Sequence, residues 1–224
     1  MSLTTLAALL VWGTLVGVDL VTVPQMMIAR PLVAGTVAGL LLGDVETGLR
    51  VGVVLELFQF DVLPVGAARY PEYGPATIAA VALAHGMGGM PALGIGAGVG
   101  LALAVVGGIS LHWLRTVNTR VVRKASVALE AGHPGALARV HAGGVLRDVA
   151  RAGAITILGL AVATLGTRLG AGSLPAPVLV ATNVAVCGVA LATGGTGLLR
   201  LVERTKLRWL AAGLAAGLGL IWVA

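Results

Sequence analysis

The stretch PLVAGTVAGLLLGDVETGLRVGVVLELFQF, Pro31 to Phe60, consists of two apolar arms separated by a polar turn. The arms are residues 31–42 and 49–55, and the turn is Gly43-Asp44-Val45-Glu46-Thr47-Gly48. Neither arm can cross a membrane alone, because crossing takes about 20 apolar residues. A chain that turns back at membrane depth must be buried in protein or line a wet cavity, since lipid cannot satisfy its backbone N–H and C=O groups. The stretch therefore predicts a re-entrant helical hairpin, a feature that frames binding sites in transporters.

The composition of the whole chain is that of a membrane protein. Of 224 residues, 58% are hydrophobic and 11% are charged, and the mean hydropathy is +1.00. Aromatic residues make up only 4%, whereas glycine occurs 34 times, which is typical of helices that approach closely in lipid. We therefore predict an all-α, polytopic membrane protein with one domain covering residues 1–224.

The apolar segments predict five or six membrane spans. We place them at residues 3–23, 76–86, 91–113, 152–169 and 178–199, with a short last one at 209–223. The first segment lacks the basic residues that precede the apolar part of a secretory signal, so we interpret it as a retained helix.

The charges predict the orientation of the chain. Residues 115–151 contain seven Arg or Lys against only Glu130 and Asp148, which indicates a basic cytoplasmic loop, with 117–129 lying along the membrane surface. A second basic cluster follows two further spans and so falls on the same side: Arg200, Arg204, Lys206 and Arg208. The positive-inside rule thus accounts for the net charge of +6, and the basic runs with interleaved aromatic residues of a nucleic-acid surface are absent from the sequence.

Polar residues that lipid would not tolerate cluster in and after the hairpin, within residues 31–75. A carboxylate near the bilayer centre costs about 2.5 to 3.5 kcal/mol, so Glu56 between Leu55 and Leu57 requires a partner or a polar cavity. Carboxylates and amides also suit the hydroxyl groups of a sugar. The candidate substrate-binding residues of this region are Glu56, Gln59, Asp61, Arg69 and Glu72. The alternative is a structural ion pair of Glu56 or Asp61 with Arg69 that holds the hairpin closed.

Three further candidates lie outside this region. Asp19 and Gln25 flank the end of the first helix and could face the same cavity, or could lie at the headgroup level and satisfy exposed backbone. Asn183 could bind a ligand or, as is more common, hydrogen-bond between helices. At the tip of the turn, Asp44 and Glu46 could belong to a site or simply be solvated.

The sequence offers no catalytic centre, metal site or cofactor site. Cys187 is the only cysteine, which excludes an intramolecular disulfide and a cysteine cluster. The four histidines do not have the spacing of metal ligands. Nucleophile-elbow and phosphate-loop motifs are also absent from the sequence.

Several strings, read in order and at their spacing, resemble the membrane component IIC of the mannose/fructose/sorbose family of the bacterial sugar phosphotransferase system. They are Arg30-Pro31-Leu32-Val33, Leu42-Gly43-Asp44-Val45-Glu46-Thr47-Gly48, Leu55-Glu56-Leu57 and Gly66-Ala67-Ala68, followed by His85, Arg115-Thr116, His141, Arg147 to Arg151, and Asn183. The resemblance covers nearly the whole chain.

The resemblance implies a permease subunit that carries a hexose-type sugar across the bacterial inner membrane. It also implies a homotrimer that works with a second membrane component, IID. Soluble IIA and IIB components would relay phosphate from phosphoenolpyruvate to the sugar, and the IIC chain itself would carry no phosphorylated residue.

The sequence departs from the family pattern at three places. Phe60-Asp61 stands where relatives commonly have Leu-Gly, Arg69-Tyr70 interrupts the Ala-Ala-x-x-Pro-acid element, and relatives usually continue through another apolar segment after the position of Ala224. The alternative functions are a divergent, non-phosphorylating carrier or channel, a sugar-sensing membrane subunit, or a purely structural subunit.

Overall fold

The computed structural model describes residues 1–62, 68–170 and 174–201, together with Arg208 and Ala212. These residues form helices and contain no strand, so the predicted all-α class is confirmed. The helices are α1 (Leu3–Asp19), α2 (Pro31–Leu42), α3 (Val45–Gln59), α4 (Tyr73–Gly86), α5 (Leu93–Lys124), α6 (Ser126–Glu130), α7 (Pro134–Gly170) and α8 (Ala176–Leu201), with a 3₁₀ turn at Met90–Ala92 before α5.

Within the described residues, three helical segments are long and apolar enough to cross a membrane: Met90–Lys124, Pro134–Gly170 and Ala176–Gly197. They contain most or all of the predicted spans 91–113, 152–169 and 178–199. The predicted spans 3–23 and 76–86 correspond to shorter helices of 17 and 14 residues. The predicted span 209–223 lies, apart from Ala212, outside the described residues.

The helices α2 and α3 form the expected hairpin, but the turn between them is shorter than predicted. Gly43 ends α2 in the left-handed conformation with φ of 75°, which glycine adopts without strain. Asp44 then caps α3 by accepting the N–H of Thr47 at 3.1 Å. Residues 45–48 are consequently the first turn of α3. That the hairpin re-enters the bilayer stays a prediction.

Glycines let the two helices of the hairpin touch backbone to backbone. A Cβ added at Gly48 would lie 2.4 Å from the carbonyl oxygen of Gly35, and one added at Gly52 would lie 2.7 Å from that of Pro31. The pairing of Gly35 with Gly48, and of Pro31 with Gly52, shows that α2 and α3 run antiparallel. We call this contact the glycine seam.

Helix α4 lies at the centre of the fold. Its residues 73–84 are all buried, and it packs against α2, α5 and α7. On the outside, α1 runs antiparallel to α7, with Gly13 against Thr156 and Gly17 against Ala152. Small residues at these crossings allow the close helix packing that the composition predicts.

The basic segment 115–151 is helical for most of its length, which corrects the expectation of a loop. Helix α5 continues to Lys124, and α7 begins at Pro134. Residues 117–129 are therefore not one separate surface helix, because the first eight of them extend α5. Arg, Lys and Val residues continue α5 as far as Lys124. The chain turns at Gly132, whose φ is 71°. The cytoplasmic location of this segment remains a prediction.

Candidate functional site

A cavity of about 310 Å³ opens where the end of α1, the turn between α1 and α2, and the end of α3 meet. Its volume lies at the lower end of the range of about 300–1,000 Å³ that is typical of ligand pockets. The cavity is lined by Asp19, Leu20, Gln25, Met27, Ala29, Arg30 and Gln59. It brings together three of the predicted substrate-binding residues, namely Asp19, Gln25 and Gln59.

Asp19 builds the turn that forms one wall of the cavity. Its buried carboxylate accepts the backbone N–H of Met26 at 2.6 Å and that of Ala29 at 3.1 Å. The turn places Gln25 and Met27 at φ of 60° and 63°, a left-handed conformation that non-glycine residues rarely adopt. Such backbone is typical of binding sites, where the surrounding structure compensates for its strain. Asp19 is therefore buried in protein, where its carboxylate satisfies the backbone of the turn.

Arg30, at the start of α2, is the ion-pair partner of Glu56 in α3. The second carboxylate oxygen of Glu56 accepts the N–H of Leu32 at 3.1 Å, which also places a negative charge at the N-terminus of α2. The Arg30 guanidinium lies 5.5 Å from the centre of the Phe60 ring. The alternative interpretation paired Glu56 with Arg69, and that partner was wrong. Glu56 pairs with Arg30 because the antiparallel seam brings the start of α2 against the last turns of α3.

Gln59 carries the one buried side-chain oxygen or nitrogen atom of the described residues that lacks a hydrogen-bond partner, its Oε1. Leaving such an atom unpaired costs about 1–3 kcal/mol. Gln59 lines both the main cavity and a second one of about 20 Å³, which Tyr73 also lines. The geometry therefore favours a ligand that donates a hydrogen bond here, as a hydroxyl group does.

Asp61 lies just beyond α3, beside the smaller cavity. It is half-buried, and its charge acts on the hydroxyl group of Tyr73. Its backbone packs against Gly197 of α8, where an added Cβ would lie 2.9 Å from the Asp61 Cα. The carboxylate that distinguishes this sequence from the family pattern is thus near the candidate site.

Glu72 lies in a different environment, a buried ionic cluster with Arg151 and Asp148. Arg151 donates to both oxygens of Glu72, at 2.5 and 2.9 Å, and to Asp148 at 2.9 Å. It also donates to Ser110 and to the carbonyl oxygen of Gly17. These contacts use the five N–H donors of a guanidinium and connect α1, α5 and α7 to the start of α4.

The sequence interpretation missed Arg151 and Asp148 because it assigned both to a basic loop. Their exposed fractions are only 8% and 0%. One signal was available, since an acid and a base three residues apart on a helix can pair, and these two directly precede the apolar run 152–169.

The remaining two candidates lie away from the cavity. Arg69 is exposed and hydrogen-bonds to His112 at 3.1 Å. Asn183 accepts the N–H of Gly94 at 2.6 Å and donates to the carbonyl oxygen of Pro91 at 3.1 Å. It thereby joins α8 to the start of α5, which is the interhelical role given as the alternative for this residue.

At the opposite end of the hairpin, Asp44 contacts His85 of α4, with 3.0 Å between Oδ2 and Nδ1. Burial alone would raise the pKa of Asp44, but hydrogen bonds from His85 and Thr47 outweigh burial and hold its pKa below the ordinary value. Glu46 is exposed and pairs with Arg50 on the surface. Of the two acids at the tip, only Glu46 is simply solvated.

Helices of spanning length around a central α4, with a polar cavity beside a hairpin of short helices, define an integral membrane protein with a candidate ligand site. The family model for the sorbose-specific IIC component of the phosphotransferase system matches residues 3–215. The chain belongs to this family.

Curated relatives show the same similarity over part of their length. The mannose-specific EIIC component of Escherichia coli is 30% identical over 112 residues, which are 50% of this chain and 41% of that protein. The sorbose-specific EIIC component of Klebsiella pneumoniae is 36% identical over 101 residues, 45% of this chain and 37% of that protein. The chain thus spans about two fifths of the length of these curated relatives.

Two solved structures share the fold. One, described as the structure of a membrane protein, has a TM-score of 0.74 at 19% identity. The other is a cryo-EM structure of the mannose transporter ManYZ in complex with a microcin, with a TM-score of 0.63 at 20% identity. Each match covers 100% of this chain and 93% of the other. They show that the chain has the same helical arrangement. Together, the family match over residues 3–215 and the helices of spanning length show that the chain is membrane-embedded.

Proposed function

We propose that this chain is the sugar-translocating IIC subunit of a phosphoenolpyruvate-dependent phosphotransferase system and binds a hexose-type sugar in the cavity beside the hairpin. The observation that carries the proposal is the unpaired Oε1 of Gln59, a residue that lines that cavity. A sugar hydroxyl would donate to this oxygen and remove the cost of its burial.

The other polar groups of the cavity suit a polyhydroxylated, uncharged ligand. Gln25 offers both a donor and an acceptor, and Arg30 offers donors. Glu56 neutralises Arg30 and orients it, so we assign Glu56 a positioning role. Asp61 lines neither cavity but directly precedes Val62, which lines the smaller one, and we propose it as a further acceptor for the same ligand. Glu72, Arg69 and Asn183 are not part of this proposed site.

The proposed partners follow from the family. We propose that the chain acts in the bacterial inner membrane with a IID membrane component, as a homotrimer, and that IIA and IIB components deliver phosphate to the sugar. Support comes from the family match over residues 3–215 and from the shared fold with ManYZ, whose name describes it as a mannose transporter.

Uptake by the reconstituted system tests the proposal. The chain is co-expressed with its IID, IIA and IIB components, and phosphoenolpyruvate-dependent uptake is measured across a panel of hexoses. At least one sugar should be taken up, and Gln59→Leu should weaken its binding about two- to tenfold, the value of one hydrogen bond.

The matched control is Asn118→Leu, which removes another half-buried amide, one whose side chain accepts a hydrogen bond from Arg147. Asn118→Leu should leave sugar affinity unchanged. Failure to take up any hexose would overturn the proposal. Uptake that does not require phosphoenolpyruvate would instead identify a non-phosphorylating carrier.

A further inference from the structure

Another cavity, of about 240 Å³, lies on the outer side of α5 and shares no lining residue with the 310 Å³ cavity proposed to bind sugar. Pro71, Val105 and Ile109 form part of its apolar wall, and Arg69 and His112 lie at one end. A single cavity therefore combines an apolar surface with a basic group.

The basic end of this cavity has no acidic partner among the described residues. Arg69 contacts the imidazole of His112 at 3.1 Å. Close by, Arg115 donates to the Tyr70 hydroxyl at 2.7 Å and to the carbonyl oxygen of Ala68 at 3.1 Å. The ion pairs formed within the described part of the chain involve neither arginine.

The carboxylate that follows Pro71 in the chain does not neutralise this basic end. Glu72 is 1% exposed, and Arg151 holds both of its oxygens. The positive charge of Arg69 and Arg115 is therefore available to an anion from outside the chain.

The apolar part of the cavity lies on a face of α5 that is suited to lipid. Val105, Ile109 and Trp113, spaced four residues apart, are 52%, 66% and 65% exposed. They belong to a segment that is apolar enough to cross a membrane. Trp113 lies two residues before Arg115 in the chain, and tryptophan near basic residues is typical of the membrane–water interface.

We propose that this cavity binds one anionic glycerophospholipid, with its phosphate at Arg69, His112 and Arg115 and an acyl chain along Val105 and Ile109. Basic pockets beside membrane helices bind anionic headgroups, and the guanidinium fork matches phosphate oxygens. The apolar wall selects a lipid over a free phosphate ion, which would gain nothing from it. This inference does not rest on the proposed sugar function.

Lipid retention measures the site directly. The full chain, purified with its co-purifying membrane components, is equilibrated with vesicles of phosphatidylcholine or of an equimolar mixture with phosphatidylglycerol, and bound lipids are counted by native mass spectrometry. One phosphatidylglycerol per chain should be retained in preference to phosphatidylcholine. Arg69→Gln should weaken this retention about fivefold, the typical contribution of one basic residue near anionic lipid.

Two variants separate charge from folding, and a third serves as the control. Arg69→Lys keeps the charge and should retain most of the binding, whereas Val105→Trp fills the cavity without changing charge and should reduce it. Arg168→Gln removes an exposed arginine of α7 outside this cavity and should have no effect at this site.

Four results would overturn the proposal. The first is equal retention of both lipids, and the second is equal loss with Arg69→Gln and Arg168→Gln. The third is displacement of the lipid by inorganic phosphate with unchanged binding in Val105→Trp, which would show that only a free anion binds. Cross-linking of a second copy or of a partner helix through position 109 in native membranes would assign the surface to protein and also reject the lipid.

Discussion

Arg151 in α7 holds the carboxylate of Glu72 at the start of α4 through two parallel hydrogen bonds, 2.5 and 2.9 Å long. The same guanidinium bonds to Asp148, and both carboxylates are almost completely buried. Removing the arginine would leave two acidic side chains without their partner in a medium that cannot solvate them.

Arg151→Gln should therefore destabilise the protein by about 3–5 kcal/mol, the usual cost of breaking a buried ion pair. Thermal unfolding of the purified protein in detergent measures the effect. Arg147→Gln, one helical turn earlier, removes an arginine that among the described residues bonds to Asn118 alone, and it should cost much less. Equal destabilisation by the two substitutions would contradict a central role for the cluster.

Gly48→Ala should open the hairpin. The new methyl group would lie 2.4 Å from the backbone of Gly35 and 2.7 Å from that of Gly39. Backbone atoms cannot relieve such a clash by a change of rotamer, as a flexible side chain can. We expect a loss of about 1–3 kcal/mol of stability, as for other overpacked cores. In contrast, Gly98→Ala in α5 meets nothing within 4 Å and should be neutral or stabilising, because alanine favours helix. A milder effect at position 48 than at position 98 would be inconsistent with the glycine seam.

Glu56→Gln should reduce sugar binding without unfolding the chain. A glutamine can still accept the N–H of Leu32, but Arg30 loses the negative charge that orients its guanidinium at the cavity. Because hydrogen bonds to charged groups contribute about 1.5–3 kcal/mol, we expect at least about tenfold weaker binding.

The control for this prediction lies in the same helix. Glu46→Gln breaks an ion pair with Arg50 that is exposed to solvent, and it should leave sugar affinity unchanged. If Glu56→Gln also left affinity unchanged, Arg30 and Glu56 would be excluded from the site.

Asp44 should stabilise the hairpin in a pH-dependent way. Its folded pKa lies below the ordinary value of 3.8, so the ionised carboxylate contributes stability that is fully present above that value and is lost as the pH falls through the folded pKa. The unfolding free energy of the native protein should therefore exceed that of Asp44→Asn at neutral pH, and the difference should shrink on acidification below the ordinary pKa. Asparagine is the appropriate replacement because it still caps a helix. A difference that does not change with pH would show that the charge contributes nothing.

The hairpin could be predicted from the sequence because its signals are local. The arm at residues 31–42 coincides with α2, since Pro31 favours the first turn of a helix and Gly43 its end. The second arm was predicted too short, because Asp44 is an N-cap and begins α3 before the apolar residues resume. A single capping side chain thus moved the start of the helix to Val45.

The candidate site was only partly predictable, because it depends on which elements meet in space. Asp19, Gln25 and Gln59 were singled out as polar residues in apolar surroundings, and the structure places them around one cavity. Their role in substrate binding stays a prediction. The sequence interpretation identified Arg30 only as the residue before Pro31. Its pairing with Glu56 could not be predicted, because it depends on the antiparallel contact between α2 and α3. Glu72 was grouped with the hairpin by sequence distance, whereas its partner Arg151 is 79 residues away.

The glycine seam gives the hairpin a mechanical property. At the glycines of the seam, the backbones of α2 and α3 are in direct contact, so side chains that could change rotamer do not separate the two helices there. At about 1.5 Å per residue, α3 holds the Asp44 end and the Glu56 end about 18 Å apart as a stiff rod. A movement of His85 against Asp44 would therefore be transmitted along α3 to Arg30 as a rigid-body shift of the helix.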